Sequence, residues 1–348
     1  MKSFNAGTMK NGITHICICG SAYALLQYLL LQSKEDSSMH TFYFVGSGVD
    51  ATISRNLSHC KRFDTLPAKG IKRVKRIFEK IYLRCFGRML YPFINEAEIY
   101  AQDYLFPVVL IGRNSYRLLN ESPYFFTFNY SMDSSEYIRC TKHLQSLSGK
   151  IETFLYGKPL VFLPGQTSQC KEILLTEHNN SPLLLGKKFR IDTFKSLWNL
   201  SDESKKEYIL SVFNVSENDL ISQKYIFLTQ PLVKDGLLTD DEYKELLQKI
   251  FCKYDQTQLC IKVHPRDDYD YSRVFPDIHI YTKPVNVELL LMLNQKCDKV
   301  ISIFSTAVNS IPEDIEVDWF GTSVHPKLVQ YSGNTVVPYR KFNQVYIE

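Results

Sequence analysis

An α/β chain built as two doubly wound, Rossmann-like domains facing across a cleft is the architecture this sequence predicts, and three observations predict it. The chain opens with a strand-like run, Ile13 to Cys19, a glycine turn at Gly20-Ser21 and a strongly helical run, Ala22 to Gln32, the order in which such sheets begin. Strand and helix signals then alternate afresh from Lys224 to Thr229 onwards. Finally, 348 residues are too many for one ordinary core, while 45% hydrophobic and 22% charged residues supply the apolar content for two. The break falls where Pro164-Gly165 and the run Glu177 to Pro182 interrupt regular structure, giving domains of residues 1–175 and 176–348.

In the first domain Gly20 lets the backbone approach a ligand and Ser21 can cap the helix behind it, so both are candidate cleft residues. The further glycines of a dinucleotide fingerprint are missing. Thr41 to Val45, closed by Gly46-Ser47-Gly48, reads as the second strand, and Tyr104 to Ile111, Tyr124 to Phe128 and Leu160 to Leu163 read as later ones. Asn129 to Tyr137 is a polar loop. From Lys61 to Leu90 lysines and arginines far outnumber the two acids, Asp64 and Glu79, and Ile71, Val74, Phe78, Ile81 and Cys85 recur three or four residues apart. That spacing predicts an amphipathic helix with basic flanks, which lies on an anionic membrane surface, receives an anionic substrate, or packs its stripe on its own domain. No nucleic-acid module accompanies the patch, so nucleic acid is not an expected partner.

In the second domain Ser201 to Asp219 is mostly helix, and Lys224 to Thr229 opens a new sheet. The helix Thr239 to Tyr254 carries Asp240, Asp241 and Glu242 in its first turn, where the helix dipole favours them. Leu259 to Val263 is a strand that ends in His264-Pro265. Pro265 restricts the residue before it to extended geometry, holding the imidazole at the carboxyl end of the sheet, where such folds bind ligands. Ile278 to Tyr281, Lys283-Pro284 and a helix from Val287 to Asn294 follow. Lys299 to Phe304 is a last strand, ending in Ser305-Thr306 before a helical run, Ala307 to Ile311.

A net charge of +4 says little about partners by itself. Nine cysteines are scattered without a CxxC pair, which argues against a disulfide framework or structural zinc and for a reducing cytosol. No apolar run reaches membrane-spanning length and Met1 to Asn11 has no signal-peptide core. The expectation is a cytoplasmic protein, with residues 61–90 as a peripheral contact on the inner face of the plasma membrane.

Asp235, His264 and Ser305-Thr306 each follow a strand of the second sheet. Together they predict a phosphate-bearing ligand, with Glu288, at a helix start beside the same edge, as an acceptor for ribose hydroxyls. Leu228 to Leu232 with Asp235-Gly236, Ile261 to Asp267, Pro284 with Glu288, and Ser302 to Thr306 resemble the corresponding stretches of bacterial sialyltransferases of glycosyltransferase family 52, the lipooligosaccharide and capsule group. The His-Pro pair recurs at His325-Pro326, but only the first copy follows a clear strand.

The resemblance implies a GT-B fold with an acceptor side in the first domain and a nucleotide-sugar side in the second. It also implies inverting transfer from CMP-sialic acid to a galactose-containing surface glycan, with no metal ligands and no cofactor. Lys262, His264, Pro265, Pro284, Glu288, Ser305 and Thr306 would hold the nucleotide. The family's acidic pair before glycine is represented only by Lys234-Asp235-Gly236, so Asp235 is the first choice of catalytic base, then Asp133 and Glu136. Two other readings stand beside this one: the same fold with another donor, and a non-catalytic subunit of a glycan-assembly system. A homodimer is also open.

Overall fold

Strands of a parallel sheet are covered on both faces, so they appear as continuous apolar runs rather than alternating ones. Ile16, Cys17, Ile18 and Cys19 are all fully buried. The computed structural model describes residues 12–65, 71–123, 125, 135–177, 181–216, 219–294, 296–332, 338 and 340–347. The chain divides into two compact units, Met1–Val215 and Ser216–Glu348.

The first unit contains β1 (His15–Ser21), α1 (Ala22–Leu31), β2 (Thr41–Gly48), α2 (Ala51–Arg55), β3 (Cys60–Phe63), α3 (Ile71–Leu90), β4 (Glu98–Ala101), β5 (Tyr116–Leu119), α4 (Ser135–Gln145), α5 (Leu147–Tyr156), α6 (Lys158–Val161), β6 (Cys170–Leu175), β7 (Phe189–Ile191), α7 (Phe194–Leu200) and α8 (Glu203–Phe213). Its sheet runs β3-β2-β1-β4-β5-β6-β7, with every pairing parallel. Ile16, Ile18, Phe42, Phe44, Ile99, Leu118 and Ile173 form part of its core. β1 and β2 approach closely at their carboxyl ends: a Cβ on Gly48 would lie 2.3 Å from Gly20 O, and one on Gly46 2.9 Å from Gly20 Cα. The Gly46-Ser47-Gly48 signal therefore serves strand packing.

The second unit contains β8 (Tyr225–Leu228), α9 (Asp240–Phe251), β9 (Leu259–Lys262), α10 (Tyr271–Val274), β10 (His279–Tyr281), α11 (Val287–Leu293), β11 (Lys299–Ser302), β12 (Glu316–Trp319), α12 (Pro326–Ser332) and β13 (Asn343–Gln344). The order is β10-β9-β8-β11-β12-β13, again all parallel. Phe227, Ile261 and Ile301 meet Tyr243, Leu247 and Phe251 of α9 in its core. Two doubly wound parallel sheets are the predicted fold class.

Several expectations are corrected. The break at 175/176 falls between β6 and β7, which are paired from Ile173↔Phe189 to Leu175↔Ile191; the turn residues there mark a loop within one sheet. Residues 176–215 belong to the first unit, where Lys205 Nζ of α8 donates to Leu30 O at 2.6 Å. Tyr104 to Ile111 is not a strand but a 3-10 turn, Phe106–Leu110, with Pro107 in its first turn, a residue that cannot donate to a ladder. Leu160 to Leu163 fails likewise, because Pro159 starts the short helix α6. Of Tyr124 to Phe128 only Phe125 lies among the described residues. The amphipathic helix expected in the basic stretch is present as α3, with strand β3 in its N-terminal flank. All nine cysteines are free.

Candidate functional site

β8 is the first strand of its unit in the chain, yet it lies inside the sheet. The chain winds outward from it to β9 and β10, then crosses back to β11, so the order reverses between β8 and β11. That reversal is the switch point at which open α/β sheets bind ligands. Leu228 of β8 is in register with Lys262 of β9 and with Ser302 of β11, so three chain segments leave the sheet level with one another. His264 follows β9 and Ser305 follows β11, two strand spacings or about 10 Å apart at the sheet.

The main-chain N–H of His264 donates to Thr229 Oγ1, 2.9 Å away at the end of β8. Its ring Nδ1 accepts from the N–H of Arg266 at 3.1 Å, so Nδ1 is unprotonated and Nε2 carries the hydrogen. Burial lowers the pKa of the half-buried imidazole, and the Arg266 charge lowers it further. The ring therefore presents Nε2–H as a neutral donor. Asp235 sits beside it on the turn after β8, with Arg266 Nη1 and Nη2 at 3.5 and 3.4 Å from its two carboxylate oxygens. The structure thus joins Asp235 to the His-Pro-Arg turn within one unit. Gly236 has φ +71°, the conformation that favours glycine after it.

Ser305 Oγ accepts from Ala307 N at 3.4 Å, and Ser305 N donates to Ser302 Oγ at 2.9 Å. Phe304 N donates across the switch point to Gln230 Oε1 at 3.2 Å. The segment that follows, Thr306–Ser310, is a single 3-10 turn, so hydroxyls and local N–H groups are available here but no α-helix dipole. Thr306 is exposed.

Two expected nucleotide ligands lie inside the fold. Lys262 is buried, with Nζ donating to Val263 O and Lys283 O, each at 3.0 Å, and burial pushes its ammonium down to about 8. Glu288 is buried in the first turn of α11 and accepts from Ser310 Oγ at 2.6 Å; burial raises its pKa. It ties α11 to the turn after Ser305. Pro284 is half-buried and Pro265 exposed.

In the first unit Ser21 Oγ caps α1 through Ala24 N at 3.2 Å and donates to Glu121 O at 3.3 Å. Gly20 N donates to Gln102 Oε1 at 2.5 Å. Asp133 lies outside the described residues, and Glu136 lies in α4 with its side chain outside them. The sequence reading missed the polar residues at this sheet's carboxyl edge, Gln102-Asp103 after β4 and Asn120-Glu121 after β5. The recurrence of an amide followed by an acid directly after an apolar run was the available signal. It also missed Thr229 and Asp267, whose partners are visible only in three dimensions.

A family model described as glycosyltransferase family 52 matches residues 137–328, more than half of the chain. The chain belongs to glycosyltransferase family 52. An uncharacterized protein of Haemophilus influenzae is 30% identical to this family member over 92% of the chain and 98% of its own length. Among solved structures, the 2,6-sialyltransferase of Photobacterium sp. JT-ISH-224, determined with CMP and lactose, has a TM-score of 0.58 at 12% identity over 96% of this chain and 78% of its own. The α/β-galactoside α-2,3-sialyltransferase of Photobacterium phosphoreum has a TM-score of 0.52 at 13% identity over 96% and 99%. These likenesses establish the GT-B fold, and membership of family 52 makes the protein a glycosyltransferase.

Proposed function

We propose that this family 52 enzyme transfers sialic acid from CMP-sialic acid to a galactose-containing glycan of a lipooligosaccharide or capsule, with inversion and without a metal. The observation that supports the reading is that the strands leading to His264 and to the Ser305 turn flank β8 and end level with each other at the switch point of a family 52 chain. In the reaction the acceptor hydroxyl loses its proton to a carboxylate as its oxygen attacks the anomeric carbon. The bond from that carbon to the CMP oxygen breaks, and its electrons pass to the phosphate. His264 Nε2–H and the hydroxyls of Ser305 and Thr306 receive that charge, the kind of preorganised donor set that lowers such barriers. Asp235 is the first choice of base, ahead of Asp133 and Glu136. Pro265 and Pro284 shape the nucleotide site, while Lys262 and Glu288 support it from within. Gly20 and Ser21 belong to the acceptor side.

The test is incubation with CMP-sialic acid and lactose, with and without EDTA, beside UDP and GDP sugars. CMP release that survives chelation supports the reading. Turnover with another nucleotide sugar alone would replace the donor, and CMP binding without turnover would indicate a glycan-assembly subunit.

The second part of the reading concerns α3. Its outward positions Val74, Phe78, Tyr82, Phe86 and Met89 follow one stripe, with Phe78 67% and Met89 78% exposed. Lys80 Nζ lies 4.9 Å from the ring centroid of Tyr156 in α5, and α5 adds Leu147 at 75% and Phe154 at 84% exposed. Among the described residues the stripe is left exposed. No helix among the described residues is long and apolar enough to cross a membrane. A second copy packed on this face would bring two strongly cationic helices together, whereas an anionic lipid surface matches both the charge and the apolar stripe. Peripheral contact with the inner face of the plasma membrane is therefore part of the proposal.

A further inference from the structure

His264 is anchored by a hydrogen-bond chain in which every hydrogen has one place. Asp267 Oδ2 accepts from Thr229 Oγ1 at 2.8 Å and from the Tyr271 hydroxyl at 2.7 Å. With its hydrogen given to Asp267, Thr229 Oγ1 has only lone pairs left, and it receives the N–H of His264. The Tyr271 oxygen is in turn within 2.9 Å of the Tyr243 hydroxyl, which must donate to it. Burial holds both phenols well above their ordinary pKa, so these donors stay protonated across the working pH range. The main chain closes the same turn: Asp267 N donates to His264 O at 2.8 Å, and Arg266 N to His264 Nδ1. Thus β8, β9, α9 and α10 all converge on one carboxylate, three residues beyond the histidine.

We propose that Asp267 is the positioning residue of the site: through Thr229 and Tyr271 it sets the His264-Pro265-Arg266-Asp267 turn so that the imidazole presents Nε2–H as its donor. The inference rests on the reading that His264 meets the departing phosphate. The charged groups that act on the ring are Arg266 and Lys262, which disfavour its protonated form, and Asp267 and Asp235, which favour it. Removing the Asp267 charge must therefore lower the pH at which the ring titrates. A role confined to packing would leave that pH alone.

The experiment is NMR titration of the histidines in the full-length protein, with the His264 signal assigned by its loss in His264→Ala, together with kcat and KM from the CMP-sialic acid assay. In Asp267→Asn the His264 titration is expected to move down by about half a unit to one unit. The acid limb of kcat should move with it, and kcat should fall about tenfold with little change in donor KM. Thr229→Val should lose a similar factor, and Thr229→Ser, which keeps the hydroxyl, should restore it. Unchanged titration and kcat in Asp267→Asn, or equal impairment in Thr229→Ser and Thr229→Val, would overturn the proposal. Should Asp267→Asn not fold, the two Thr229 variants decide it. The titration needs no turnover, so a fully active His264→Ala would sink the reading of the site without affecting this measurement.

Discussion

The lone pair that His264 Nδ1 commits to Arg266 N–H fixes the pH behaviour of the site. The imidazole is lowered by burial and by Arg266, so the neutral ring persists to a pH below the ordinary histidine value of about 6.5. If neutral Nε2–H is the working donor, kcat is flat through neutrality and falls only below that value, which a pH–rate profile will show. His264→Ala should lose about a hundredfold or more in kcat, the usual cost of a charge-stabilising donor. Asp235→Asn should lose a comparable factor if Asp235 is the base; unaffected turnover would move that role to Asp133 or Glu136.

Asp103 makes a separate prediction. It is fully buried, accepts from the Tyr116 hydroxyl at 2.5 Å and from Gly165 N at 2.8 Å, and has its pKa pushed up by burial to about 7. A carboxyl raised on folding stabilises the protein fully below its unfolded pKa, and that contribution is lost as pH rises through the folded value. Urea midpoints should therefore fall between about pH 4 and pH 8, and Asp103→Asn should flatten that slope. His264 and Ser305 were legible as strand-end residues before regular structure resumed. Asp267 was not, because a carboxylate in a polar turn looks solvated until Tyr243 and Tyr271 are folded against it.

At the scale of elements, α9 shows how much of a helix its first turn specifies. Thr239 Oγ1 accepts from Glu242 N at 3.3 Å, and Glu242 Oε2 accepts from Thr239 N at 2.9 Å, a capping box that satisfies two orphan donors. Thr239→Ala should cost about 1 kcal/mol, read as a lower urea midpoint, with kcat unchanged. The acidic first turn of this helix was legible in the sequence, as were β1, β2, β8, β9 and β11, each lying within an apolar run. The misread elements share one cause. Tyr104 to Ile111 and Leu160 to Leu163 are as apolar as strands, but Pro107 and Pro159 start helical turns there. The strands β4, β5 and β6 were not read from the sequence; each carries a charged residue, Glu98, Arg117, or Lys171 with Glu172, and sits among polar neighbours rather than in a continuous apolar run.

At the scale of the molecule, the exposed stripe of α3 and the apolar side chains of α5 form a surface with an excess of positive charge. The protein should pellet with vesicles containing anionic lipid at low salt, bind less at high salt, and bind zwitterionic vesicles weakly, since screening acts on the ionic component. Phe78→Glu with Phe86→Glu should abolish pelleting and leave turnover of lactose intact. Salt-independent self-association in place of pelleting would assign the face to a second copy.

By itself the sequence determined the fold class, the His-Pro and Ser-Thr strand ends and the family, because these depend on local apolar runs and on residues adjacent in the chain. The division at Val215/Ser216, the burial of Lys262 and Glu288 and the carboxylate beneath His264 were decided only by tertiary structure. Strand pairing and desolvation bring together residues far apart in the chain, and no local pattern records which partner a polar group will meet.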